Sequence, residues 1–305
     1  MPNEIPPPRE SGFTKSTSLP LYWAKYGPPG APQLLMLHGG PGAHHDYMLP
    51  QMLELAHDYE LVFYDQRGGG RSKYDGPEAI TWRTQVLDLA LVAQELVPGA
   101  PSILGYSWGG LLAMLYAIAA NGGGDPPLPA GSLAPRRLVL MSPAPVTREF
   151  REDFEVELAE RQAGGAVEQL RAQVVATGLR DRDPASYRQR LFEISVAGYF
   201  ADPARARELT PFRVTGRVQK SVWDSLDDYD IRDGLKHVRC PVLIVHGRED
   251  PIPLESSRLA ASIMPHARLE VLDGSGHVPY VEAAEALFAA LRRFLTQTDP
   301  ATIGS

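Results

Sequence analysis

Cys240 is the only cysteine among 305 residues, so no intrachain disulfide can form and the fold must be held by burial. The thiol directly precedes Pro241 and the apolar run "VLIV" (242–245), where it reads as buried filler at the start of a strand. A lone cysteine also suits a reducing, cytoplasmic setting. No continuous apolar run approaches the ~18 residues needed to span a bilayer, and the opening "MPNEIPPPRESG" lacks the basic-then-apolar order of a secretory leader. Long basic runs are missing too: 30 Lys and Arg stand against 37 Asp and Glu, a formal charge of −7. Nucleic acids and anionic membranes need clustered positive charge to displace counterions, so neither partner is expected.

What the sequence does have is a rhythm of short apolar runs. They are "LYWAKYG" (21–27), "LLMLHGG" (34–40), "LVFYDQ" (61–66), "SILGYS" (102–107), "RLVLMSP" (137–143), "VLIVHG" (242–247) and "LEVLDG" (269–274). Helix-like segments at 81–97, 109–120, 254–264 and 281–295 separate most of them. The alternation predicts an α/β fold, a mainly parallel, doubly wound sheet with helices on both faces. In such sheets the functional loops follow the carboxyl ends of the strands, which is where His38, Asp65, Ser107 and Asp250 fall. Between 144 and 234 the rhythm stops and charged, amphipathic segments take over: Phe150, Phe154 and Leu158 are spaced by four, as are Tyr187 and Leu191. The expected organisation is a core of residues 1–143 and 235–305 with an inserted helical cap over 144–234, roofing the strand ends. The proline-rich first dozen residues read as an extended tail, and "NGGGDPPLPAGSLAP" (121–135) as a surface connection.

The stretch "SILGYSWGGLLA" (102–113) places Ser107 at a tight strand-to-helix junction fenced by Gly105, Gly109 and Gly110. Such a turn strains the serine backbone and thrusts its hydroxyl out of the sheet. A serine hydroxyl attacks only when a base accepts its proton. Among eight histidines, His277 in "LDGSGHVPY" follows the last strand on a glycine-bearing loop that can reach back over the sheet. Asp250, in the loop after the preceding strand, supplies the carboxylate that fixes the imidazole tautomer. The chain order Ser107, Asp250, His277 is that of α/β-hydrolases. "HGGPG" (38–42) supplies backbone donors for an oxyanion: the Gly40 amide together with that of Trp108, the residue after the nucleophile. "HHD" (44–46) is not read as a metal site, because adjacent residues rarely converge on one ion. "RGGGRS" (67–72) lacks the phosphate-loop lysine and reads as a turn beside the site. His246 is expected to close a strand end.

With these residues in hand, the sequence resembles the proline iminopeptidase branch of the α/β-hydrolases. The shared segments are "LHGGPG" (37–42), "YDQRGGGRS" (64–72), "GYSWGG" (105–110), "GREDPIP" (247–253) and "GSGHVPYVE" (274–282). The resemblance implies Ser107 as nucleophile, His277 as base, Asp250 as its partner and no cofactor. It further implies a short-peptide or other small substrate from which an N-terminal residue, often proline, is released; an ester hydrolase or lactonase is the alternative. Members of that branch use cap glutamates to hold the substrate's free amine. Here Val196, within "SVAGYF" (195–200), and Pro211, within "TPFRVTG" (210–216), stand at the matching positions. Glu193, one helical turn from Val196, is the expected substitute, with Glu208 as the other acid within reach.

Overall fold

The computed structural model describes residues 4–297. Eight strands form one sheet: β1 (Glu10–Phe13), β2 (Tyr22–Tyr26), β3 (Gln33–Leu37), β4 (Glu60–Tyr64), β5 (Ser102–Tyr106), β6 (Arg137–Met141), β7 (Val242–Gly247) and β8 (Ala267–Leu272). Their spatial order is β1-β2-β4-β3-β5-β6-β7-β8. The β1–β2 and β2–β4 pairs are antiparallel, and every pairing from β4 through β3 to β8 is parallel. The helices are α1 (Trp82–Leu96), α2 (Trp108–Ala120), α3 (Arg148–Gln162), α4 (Gly165–Ala176), α5 (Leu179–Arg182), α6 (Pro184–Val196), α7 (Gly216–Asp224), α8 (Arg232–Leu235), α9 (Leu254–Ile263), α10 (Pro279–Glu282) and α11 (Ala284–Leu295).

The apolar runs form strands because both of their faces are covered. Successive side chains alternate between two cores. Leu35, Leu37, Val62, Ile103, Leu138 and Ile244 join one with α1, α2 and α9. Leu34, Met36, Phe63, Leu104, Val139 and Leu243 join the other with α11. Strands β4, β6 and β7 are buried along their whole length, which explains the apolar runs "LVFY", "LVLM" and "VLIV" within them. Helix α1 starts at Thr81, whose hydroxyl accepts the Thr84 amide at 3.2 Å.

Contrary to expectation, the proline-rich opening segment is not wholly an extended tail: Glu10–Phe13 pairs with β2 as an edge strand. Its side chains are exposed or half-buried, so backbone pairing rather than apolar burial forms it. Cys240 packs partly buried against the first core, and burial pushes its thiol up to about 12.

Helices α3 to α8 all lie in the chain between β6 and β7, and that stretch adds no strand to the sheet. An antiparallel bridge, Thr147 to Asp230, closes its two ends together. No residue of α3 is fully buried, although Phe154 looks into the cavity above the strand ends. Among the described residues no helix is long and apolar enough to cross a membrane.

Candidate active site

Ser107 sits between β5 and α2 with φ 54° and ψ −119°, a left-handed conformation that a serine rarely adopts. Strain of this kind costs on the order of 1–3 kcal/mol and persists only where the surroundings enforce it. They do so here. The Ser107 amide donates to the Met141 carbonyl at 3.0 Å, while the amides of Gly110 and Ala144 donate to the Ser107 carbonyl at 2.9 Å each. The turn closes so tightly that any side chain on Gly105 would strike the Gly109 carbonyl. Helix α2 therefore packs directly on the strand that feeds it.

The loops after β7 and β8 bring two more groups to this serine. His277 Nε2 lies 3.0 Å from Ser107 Oγ. On its other side, His277 Nδ1–H donates to Asp250, 3.0 Å from Oδ2 and 3.1 Å from Oδ1. With the proton on Nδ1, Nε2 faces the hydroxyl as an acceptor. The Asp250 side chain is fully buried. Burial alone would raise its carboxyl, but nearby His277 and His246, with the hydrogen bonds from His277 and the Ile252 amide, hold it below the ordinary carboxylate value. His277 is held from behind as well, since its amide donates to the Tyr199 carbonyl at 2.7 Å. His246 does not reach the serine: Ser257 Oγ and the Ile252 carbonyl occupy its two ring nitrogens at 2.8 and 3.0 Å.

Gly40 and Trp108 line the same cavity as Ser107. Trp108 opens α2, so its amide has no partner within the helix. The "HGGPG" loop approaches the serine so closely that a Cβ on Gly39 would stand 2.7 Å from the Ser107 Cβ. A buried network ties this loop to the elbow. Gln66 is its centre: its backbone amide donates to His38 Nε2 at 3.0 Å, its side-chain amide donates to the His38 carbonyl at 2.7 Å, and its Oε1 accepts from Trp108 Nε1 at 2.9 Å. His38 Nδ1–H in turn donates to the Gly39 carbonyl at 2.8 Å. Burial lowers the His38 pKa to about 4, so it stays neutral. Sequence reasoning did not single out Gln66, although it lies inside the "YDQRGGGRS" segment.

The fold has counterparts elsewhere. Residues 34–291 match the model of the alpha/beta hydrolase family. The chain belongs to the alpha/beta hydrolase family. Within it, the chain is similar to the proline iminopeptidase of Heyndrickxia coagulans, 27% identical over 272 residues, covering 87% of this chain and 91% of the relative. A second relative is the proline iminopeptidase of Lactobacillus delbrueckii subsp. bulgaricus, 27% identical over 255 residues, covering 82% of this chain and 84% of the relative. Among solved structures, the proline iminopeptidase of Mycobacterium smegmatis superposes with a TM-score of 0.67 at 23% identity, covering 96% of this chain and 100% of the other. The enol-lactonase of Burkholderia xenovorans LB400 does so at 0.65 and 20%, covering 94% and 100%. These two likenesses show a shared fold.

In this α/β-hydrolase the cavity over Ser107 measures about 360 Å³. Its roof is apolar and aromatic: Phe154, Phe192, Tyr199, Phe212 and Trp223 come from the helical stretch between β6 and β7. Burial pushes the Tyr199 phenol up to about 12 and those of Tyr106 and Tyr280 well above their ordinary value, so the tyrosines of the wall are uncharged. Among the described residues no aspartate or glutamate lines this cavity. Val196 does, at 7% exposure.

The structure does not bring Glu193 to this site, which corrects the expectation that it faces the substrate. Glu193 pairs with Arg190 at 2.6 Å and lines a separate cavity with Leu170, Val174 and Arg207. The reason is helical phase. On and just after α6, Phe192, Ser195, Val196 and Tyr199 form the i, i+3, i+4, i+7 stripe that faces the Ser107 cavity, and Glu193 falls off it. Glu208 is likewise turned to Arg205, at 2.8 Å. A further acid is structural. Glu282 accepts the amides of Gly276 at 2.7 Å and Asp202 at 3.0 Å, joining the His277 loop to the helical stretch.

Proposed function

We propose that this hydrolase cleaves small carboxylic esters or lactones, whose reacting end is uncharged, through a Ser107 acyl-enzyme. The observation that carries the substrate reading is the cavity wall, which among the described residues holds no carboxylate. An ammonium brought into an apolar pocket loses its hydration and needs an opposite charge in return. A neutral acyl group needs none and gains from contact with the aromatic roof.

In this reading Ser107 Oγ attacks the carbonyl carbon while His277 Nε2 takes its proton, and Asp250 stabilises the imidazolium. The developing oxyanion is met by the Gly40 and Trp108 amides, held in place through Gln66. His277 returns its proton to the leaving oxygen. Water, deprotonated by the same imidazole, then frees the acid and restores Ser107. The cycle uses side chains, backbone and water, without a cofactor. The helices between β6 and β7 act as a cap that limits substrates to those fitting the cavity.

A second reading, an aminopeptidase that releases N-terminal proline, is supported by the relatives named proline iminopeptidases. The two part on a single atom. Prolyl p-nitroanilide and cyclopentanecarbonyl p-nitroanilide share shape and leaving group, and only the first carries an ammonium. The ester reading expects the prolyl compound to have the lower kcat/KM of the two, because its ammonium loses hydration in the cavity and no charge-assisted bond of about 1.5–3 kcal/mol is available to the amine. A preference for the prolyl compound of ~10²-fold or more would establish the aminopeptidase.

A further inference from the structure

Beside the Ser107 cavity lies a second one of about 530 Å³. The two share a partition, Phe192 and Phe212, whose rings meet edge to face at 5.5 Å. Phe212 also packs at 4.4 Å on Tyr47, which accepts the Gly39 amide of the oxyanion loop at 2.6 Å. Gly42, the last residue of that loop, lines the second cavity itself. The outer cavity therefore adjoins the reacting centre through one layer of aromatic side chains.

Its chemistry is opposite to that of the inner one. Arg188, Arg213 and His44 line it, and among the described residues no aspartate or glutamate does. On these helices Arg151 is neutralised within one turn by Glu155 and Arg161 by Glu157. Arg188 and Arg213 make no hydrogen bond or ion pair with any described residue. The nearby acids are engaged. Asp183, which caps α6, feels the Arg188 charge through space but is bound by Ser186. Asp46 holds Arg71 at 2.8 Å while standing 3.5 Å from His44. In a chain with a net charge of −7, two guanidiniums without an ion-pair partner facing one cavity form a local reversal of sign.

We infer that the outer cavity receives a carboxylate at the far end of the substrate, so that the preferred substrates are esters or lactones that carry an anionic group remote from the uncharged reacting end that enters the Ser107 cavity. A guanidinium presents paired donors that match a carboxylate, and the apolar link between the two ends takes the place of the Phe192–Phe212 contact, one ring turning aside to pass it. This inference rests on the ester reading for the reaction but makes a separate claim about the distal charge.

Two matched pairs of esters test it, one for each side of the scissile bond. The first compares p-nitrophenyl octanoate with the p-nitrophenyl monoester of suberic acid, which ends the same eight-carbon acyl chain in a carboxylate. The second compares the octanoyl esters of 4-hydroxybenzamide and 4-hydroxybenzoic acid. In at least one pair the anionic member should be favoured in kcat/KM by about fivefold to tenfold at low salt, the range open to two exposed charge pairs. That ratio should shrink as sodium chloride shortens the screening length, and should approach one in Arg188→Gln/Arg213→Gln. Equal rates within both pairs, or an anionic preference that survives both salt and the double substitution, would overturn the inference. Hydrolysis of p-nitrophenyl octanoate that depends on Ser107 supports the ester reading whichever way the charge comparison falls.

Discussion

Ser107→Ala and His277→Ala are each expected to lower kcat by about a millionfold, and the double variant to be scarcely worse than either. The 3.0 Å contact between His277 Nε2 and Ser107 Oγ is the reason: in the proposed mechanism the two groups perform one proton-coupled attack, so losing either removes the whole step. What remains in each variant is the contribution of the oxyanion amides and of binding. The measurement is single-turnover hydrolysis of an activated ester by the two single variants and the double. Losses that multiply in the double variant would mean that the two residues act independently, and another base would have to be found.

The second large effect is expected from Asp250→Asn, at about 10⁴-fold in kcat. Asparagine is nearly the same size and keeps a carbonyl oxygen for the Ile252 amide, which Asp250 Oδ1 now accepts at 2.9 Å. It also presents an NH₂ group where His277 Nδ1–H needs an acceptor. The imidazole would then carry its proton on Nε2, pointing a donor at Ser107 Oγ in place of an acceptor. The loss should appear with an unchanged circular dichroism spectrum and little change in KM. Full activity in this variant would show that another carboxylate orients His277.

How much of this is legible in the sequence follows from which forces make each feature. The buried parallel strands can be read because covering both faces demands continuous apolar runs, as in "LVFY" of β4. Strand β1, "ESGF", cannot: it lies at the sheet edge with exposed side chains, and its pairing is carried by backbone groups common to every residue. Ser107, Asp250 and His277 can be picked out because each follows a strand, and the parallel sheet delivers those strand ends to one side. Gln66 escapes notice because its hydrogen bonds reach His38 and Trp108, 28 and 42 residues away along the chain, and no local pattern encodes such a choice of partners. Glu193 is misplaced for a different reason. Nearness in sequence to Val196 is not nearness in space, and the stripe Phe192, Ser195, Val196 and Tyr199 already contains the phase that turns Glu193 away.

The same stripe shows why the core and the pocket of this fold are set by different residues. The core motifs fix the elbow, the loops after β7 and β8 and the oxyanion turn. The residues at 192, 195, 196 and 199 sit on a helical stretch packed over the strand ends, where a change of side chain alters the cavity wall without disturbing the sheet.

Covalent trapping tests most directly whether Ser107 is the nucleophile, on which every other step depends. A fluorophosphonate should form one phosphonyl bond per chain, to Ser107 Oγ with loss of fluoride, and peptide mass spectrometry should locate that adduct in the segment containing "GYSWGG" while activity falls in proportion to labelling. His277→Ala should be labelled far more slowly. An unlabelled active protein, or an adduct on any other residue that accounts for the lost activity, would contradict the assignment.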